Sequence, residues 1–197
     1  ALPISVGPIL AGANANAASI SGSTLNMYNG TSTTRGVGNI QTYVVTNTAV
    51  GSLAFPQYSV LTSFNSAFGE AALSAGSTLT AGANRNTAIG YRTLTALTSG
   101  TDNTAVGSDT GLVLTIGTEN TLTGSNAGQT LSTGTRNIAI GYLSMSNVTT
   151  GGNNICLGAN TTCAAVGNNN SLVIGSSAVG AGSNTTVIHP SYVRAAV

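Results

Sequence analysis

Charge is the scarcest thing in this sequence. Only 5% of its 197 residues are charged, against about 25% in ordinary soluble domains. Lysine is absent. The ionised side chains are Arg35, Arg85, Arg92, Arg136, Arg194, Glu70, Asp102, Asp109 and Glu119, for a net charge of +1. Such an inventory offers no basic groove for nucleic acid and no patch for an anionic membrane. Solubility must rest on Asn, Thr, Ser and Gly, a surface that suits a long-lived assembly better than a cytosolic enzyme. The two cysteines, Cys156 and Cys163, are too few for a disulfide scaffold. They form no Cys-x-x-Cys pair, and the single histidine, His189, lies 26 residues beyond Cys163, so no zinc site is expected. No apolar run approaches the roughly 18 residues of a membrane span. No basic stretch followed by an apolar one marks a signal peptide. The chain opens on Ala1 rather than Met and is expected to be a processed product or a fragment.

What is present is a period. The phrase Asn86-Thr87-Ala88-Ile89-Gly90 returns as Asn103-Thr104-Ala105-Val106-Gly107, Asn120-Thr121-Leu122-Thr123-Gly124, Asn137-Ile138-Ala139-Ile140-Gly141 and Asn154-Ile155-Cys156-Leu157-Gly158, at a step of 17 each time. Earlier copies start at Asn47 and Asn65, at steps of 18 and 21, which implies insertions around Phe55–Tyr58 and Ser74–Ala83. Between copies, Gly100-Thr101-Asp102, Gly117-Thr118-Glu119 and Gly134-Thr135-Arg136 lead into the next Asn, and Leu97, Leu114, Leu131 and Val148 lie upstream. Numbering each repeat from its Asn, one unit reads as strand, turn, short second strand and Gly turn. Small residues at fixed intervals, with 41% hydrophobic content, argue for order rather than for a disordered polar tract.

Seventeen residues cannot hold two strands and a crossover helix. They can hold one coil of an all-β parallel β-roll, a β-solenoid whose coils stack at about 4.8 Å. Equivalent positions then form ladders along the axis. Asn86, Asn103, Asn120, Asn137 and Asn154 form an amide ladder that bonds coil to coil or holds a turn. Gly90, Gly107, Gly124, Gly141 and Gly158 form a ladder at tight turns. Alternation puts positions 2 and 4 on one face and position 3 on the other. The bulk at position 4 (Val50, Phe68, Ile89, Val106, Thr123, Ile140 and Leu157) marks it as the core ladder. Position 3 (Ala49, Ala67, Ala88, Ala105 and Ala139) then becomes an outward apolar strip suited to close self-association.

Three segments follow: a non-repeating cap or attachment segment over 1–38, solenoid repeats over 39–189, and an exit segment over 190–197. The final copies shorten to a step of 14, from Asn170 to Asn184, and His189-Pro190 replaces the expected Gly. Proline cannot donate to a ladder, which ends the solenoid there.

The phrase Asn-Thr-Ala-Ile-Gly-Tyr at Asn86–Tyr91, with its Gly-x-x-Asn lead-ins, resembles the repeats of fibre and tail-spike-like proteins of phages and large DNA viruses. The 14-residue copy from Asn170 to Ser183 resembles, more distantly, the head repeats of trimeric autotransporter adhesins. The resemblance spans about residues 47–188. It implies a left-handed roll assembled as a homotrimer, on the virion surface or otherwise extracellular, in contact with other virion or surface proteins and with host glycans. The alternative is a carbohydrate-binding adhesin head of a bacterial surface protein.

Catalytic readings are weaker. Asp102 and Glu119 fall one coil apart, as a carboxylate pair for polysaccharide chemistry would require. Yet position 17 runs Arg85, Asp102, Glu119, Arg136. That order predicts two cross-coil ion pairs, Arg85–Asp102 and Glu119–Arg136. With one His beside a terminating Pro, no Ser-His-Asp triad is expected, nor any cofactor. Cys156 and Cys163, at positions 3 and 10 of one coil, are either a disulfide or buried thiols acting as small hydrophobes. Thr48, Thr87, Thr104 and Thr121 make a Thr ladder. Its plain reading is strand propensity; its sharper reading is an ice-binding array.

Overall fold

The computed structural model describes residues 18–21, 24–27, 47–54, 64–74, 82–163 and 166–189. Of the segment 1–38 it describes one antiparallel hairpin, β1 (Ala18–Ser21) with β2 (Thr24–Met27). The rest of that segment, the insertion at Phe55–Tyr58, most of the one at Ser74–Ala83, and the exit segment with Pro190 lie outside the described residues.

Between Asn47 and His189 the described residues form a β-solenoid. Nine three-residue strands form one parallel sheet in strict sequence order: β3 (Thr48–Val50), β4 (Ser66–Phe68), β5 (Thr87–Ile89), β6 (Thr104–Val106), β7 (Thr121–Thr123), β8 (Ile138–Ile140), β9 (Ile155–Leu157), β10 (Leu172–Ile174) and β11 (Thr186–Ile188). Pairing joins equivalent positions, Ala88 with Ala105 and Ala105 with Leu122, for example. The steps of 18 and 21 do not shift it, since Ala49 pairs Ala67 and Ala67 pairs Ala88. Extra residues are absorbed away from the strands. The short final coil also stays in register, with Val173 opposite Val187.

The coil turns at left-handed corners. Position 17 has φ of 55–60° at Arg85, Asp102, Glu119, Arg136, Asn153 and Asn170, and position 7 has 52–58° from Arg92 to Ser177. A left-handed non-glycine residue costs on the order of 1 kcal/mol. From Arg92 onward these corners are held by backbone bonds to the preceding coil: Asp102 N–H donates to Asn84 O (3.0 Å), and Asp109 N–H to Tyr91 O (2.8 Å). Position 5 is more demanding. Gly90 and Gly107 have φ of 133° and 136°, and a Cβ on Gly90 would stand 2.4 Å from the carbonyl oxygen of Gly107. Only glycine allows both the conformation and the stacking.

The core corrects the assignment of faces. Position 3 is the buried column: Ala67, Ala88, Ala105, Leu122, Ala139, Cys156 and Val173 are all fully enclosed. Position 4 faces outward, with Phe68, Ile89, Ile140 and Ile188 about 40% exposed. The lumen of a 17-residue coil is narrow. The facing wall already supplies Leu97, Leu114, Leu131 and Val148 at position 12, and Leu94 and Met145 at position 9, all buried. Opposite such side chains only a small residue fits. Around the large Leu122, position 9 is glycine both in its own coil and in the preceding one: a Cβ on Gly128 would meet Leu122 Cδ2 at 2.9 Å, and one on Gly111 would meet Leu94 Cδ2 at 2.8 Å and Leu122 Cδ1 at 3.0 Å.

Candidate functional site

Three arrangements concentrate the chemistry of this chain, and the amide ladder is the most regular. The Asn120 side chain shows the unit. Its Nδ2 donates to Asn103 Oδ1 (2.9 Å) and to the Gly134 carbonyl (2.8 Å). Its Oδ1 accepts from the backbone N–H of Asn137 (3.0 Å) and from Asn137 Nδ2 (3.1 Å). The same bonds recur at Asn86, Asn103, Asn137 and Asn154, all buried. The amide therefore both ties coil to coil and closes its own coil. Ser171 ends the run, its N–H donating to Asn154 Oδ1 (3.0 Å). Position 1 of that coil is thus Ser171, with Asn170 at the corner.

Gly90, Gly107, Gly124, Gly141 and Gly158 stack as a second ladder. The N–H of each donates to the position 4 carbonyl of the preceding coil, as Gly107 does to Ile89 O (2.8 Å). Thr93 and Thr110 add hydroxyl brackets that composition alone did not signal, each donating across coils to Gly107 O and Gly124 O at 2.6 Å.

Of the two expected ion pairs one forms. Arg85 Nε and Nη2 grip Asp102 Oδ1 and Oδ2 at 2.5 and 2.8 Å. That hydrogen bond holds the Asp102 carboxyl below the usual carboxylate range and raises Arg85. Arg136 does not pair with Glu119; its Nε donates to Asn153 Oδ1 of the next coil (2.8 Å). A pair not read from the sequence, Arg92–Asp109 (3.4 Å), joins position 7 of the coils that begin at Asn86 and Asn103. Asp102 is thus engaged by an arginine. Among the described residues no three His, Cys, Asp or Glu side chains come together.

Cys156 and Cys163 are both buried, with Sγ atoms 3.3 Å apart as free thiols. The contact with Cys163, then burial, pushes the Cys156 thiol well up, since two adjacent enclosed sulfurs cannot both ionise.

The outward sheet face is the largest continuous feature. Positions 2 and 4 of nine strands give eighteen side chains, every one Thr, Ser or apolar. At about 4.8 Å per strand the face runs about 38 Å along the axis. Its composition changes along the axis. From β3 to β7 position 2 is Thr or Ser. From β8 to β10 the face is wholly aliphatic: Ile138, Ile140, Ile155, Leu157, Leu172 and Ile174. Tyr91 and Tyr142 flank it, about half exposed. Charged side chains at positions 7 and 17 stand at the corners beside it, and Glu70 stands at position 6.

The chain matches no family model, no curated protein and no solved structure among those compared.

Proposed function

We propose that this chain is a structural and adhesive rod, a segment of a fibre, tail spike or surface filament of a phage or virus. It works without catalysis, as a homotrimer or another close-packed symmetric assembly on a virion surface or outside the cell. The buried asparagine ladder is the observation that carries this reading. It invests the interior polar groups in axial continuity, coil after coil. A stiff spacer needs that investment, and an enzyme needs convergent groups. The resemblance of the repeat to viral fibre and adhesin-head repeats supports the same reading.

The outward sheet face is the contact surface in this reading, taking the place of the Ala strip that the fold buries. An uncharged face lets a second copy approach without desolvating ions. Two parallel copies also share one axial pitch, so their side-chain rows interdigitate along the whole length. Host-surface glycans and other virion or surface proteins are the further partners proposed.

Light scattering on the purified chain, with and without Ile140→Lys, is the test. A symmetric oligomer that Ile140→Lys dissociates is expected. A well-ordered monomer at all concentrations would overturn the reading. One observation favours a second reading: Thr48, Thr104, Thr121 and Thr186 are exposed at position 2 of the sheet. A monomer that depresses the freezing point without depressing the melting point would establish ice binding instead.

A further inference from the structure

The two cysteines of the chain fall in one coil and touch. Position 3 holds Ala or another apolar residue in the other coils, and position 10 holds Thr95, Leu112, Gln129 and Ser146. Sulfur occurs at both positions only in the coil that begins at Asn154. The backbones that carry the two sulfurs are fixed from the coil below. Ser144 Oγ donates to the Cys156 carbonyl (2.9 Å), and Asn147 Oδ1 accepts from the Cys163 N–H (2.9 Å) while Asn147 Nδ2 donates to the Cys163 carbonyl. The sulfurs are held at 3.3 Å, and a bond requires about 2.05 Å. Closing that gap takes side-chain rotation of roughly an ångström rather than a rearranged coil.

We propose that Cys156 and Cys163 are a built disulfide site, which closes across the lumen of its coil when the chain folds in the presence of a small disulfide such as oxidised glutathione. One cysteine thiolate attacks a glutathione sulfur, forming a mixed disulfide and expelling a glutathione thiolate. The second cysteine, losing its proton to solvent, attacks the protein sulfur of that mixed disulfide and expels the other glutathione. Two protein thiols are oxidised to one disulfide, and one oxidised glutathione is reduced to two thiols. Both sulfurs are enclosed in the finished coil. The reaction therefore belongs to folding, and the closed bond is shielded from later reductants.

The experiment refolds the full chain in oxidised and reduced glutathione, alkylates in denaturant, and cleaves after Leu157, between the two cysteines. The two fragments are expected to stay joined until reduced, with no alkylated cysteine, and the protein to run as a single chain on a non-reducing gel. Protein reduced in denaturant and refolded with reductant should melt about 5 °C lower, the order expected for releasing a short loop in a domain of this size. Cys156→Ala places in this coil the residue that Ala88, Ala105 and Ala139 supply elsewhere, so it is expected to fold. Its Cys163 should be alkylated in full, and its midpoint should not respond to reductant. Both cysteines alkylated after oxidative refolding, bonds between chains instead of within one, or an equal response of Cys156→Ala to reductant would each overturn the proposal.

Discussion

The two sides of the same nine strands are governed differently. On the inner side, each residue answers to others in its own chain. Ala88 lies in the coil whose position 9 is Leu94, Ala139 in the coil with Met145, and Leu122 in the coil with Gly128, so large and small alternate between strand and facing wall. On the outer side Ile89 and Ile140 stand about 40% exposed, and yet no charge, Asn or Gln interrupts the two columns. Close packing accounts for this inner pattern, with Leu94 and Leu122 of the neighbouring coils closing on Gly111 where Ala105 and Gly111 are both small. The outer pattern has no such internal reason, and an uncharged face of this regularity is what association with a matching surface would maintain.

The largest way to break the inner order is to remove a rung of the amide ladder. Asn120→Ala deletes two donated bonds and strands the Asn137 backbone N–H and one of its side-chain donors in the interior. Each buried group left unpaired costs about 1–3 kcal/mol, so a loss of about 3–5 kcal/mol is expected by denaturant unfolding. Because coils contact mainly their neighbours, hydrogen exchange should rise first in the coils on either side of the lesion.

Size complementarity makes the next prediction. Leu122→Ala should cost about 2–5 kcal/mol through the cavity it leaves, and Gly128→Leu about 1–3 kcal/mol through overpacking. Position 9 tolerates a bulky residue in the left-handed conformation, since Leu94 and Met145 adopt it at φ of 51° and 57°. The double variant therefore restores the pattern of the neighbouring coils and should recover most of the loss. A double-mutant cycle with no coupling would show that the two positions do not share one space.

Substitution on the outer side should do the opposite. Ile140→Lys adds a charge to an exposed strand position and is expected to change the unfolding free energy of a coil by no more than about 0.5 kcal/mol. Any loss larger than that, in a form shown to be monomeric, would mean that the face is packed on part of its own chain.

The division between inside and outside is also where the sequence was least legible. The coil, its stacking and the registers follow from a constant step of 17, and the Asn and Gly columns were readable because identical residues recur at identical positions. Alternation declares two faces but not which is inner. Bulk usually decides that question, and at position 4 it pointed the wrong way. The leucines that fill the lumen arrive from positions 9 and 12, distant in sequence from the strand they oppose. The charge columns show a similar limit. Arg85 and Asp102 were readable as a pair, and so in principle were Arg92 and Asp109, which stand at the same step of 17. Glu119 and Arg136 share that spacing and remain apart, because Asn153 offers Arg136 a neutral acceptor on the other side. Ladder position brings two side chains to adjacent rungs, and the choice of partner belongs to the rotamers.

The corner charges give the smallest expected effect. The Arg85–Asp102 pair is bidentate, yet both side chains are well exposed, so solvent screening removes most of its Coulomb gain. Its direction is nonetheless fixed. Asp102 is held below its ordinary carboxylate value by the Arg85 hydrogen bond. A depressed folded-state value means that the pair stabilises above the unfolded Asp value and that this contribution is lost as pH falls through the folded one. The wild type should therefore lose slightly more stability than Asp102→Asn when both are taken from neutral to strongly acid pH. At neutral pH their thermal midpoints should nearly coincide, and added salt should bring them closer still. The corner itself should survive, because Asn153 and Asn170 occupy equivalent left-handed positions and the backbone bond from residue 102 to Asn84 O does not depend on the side chain. A large fall in the midpoint of Asp102→Asn at neutral pH would show that the ion pair, rather than that backbone bond, holds the corner.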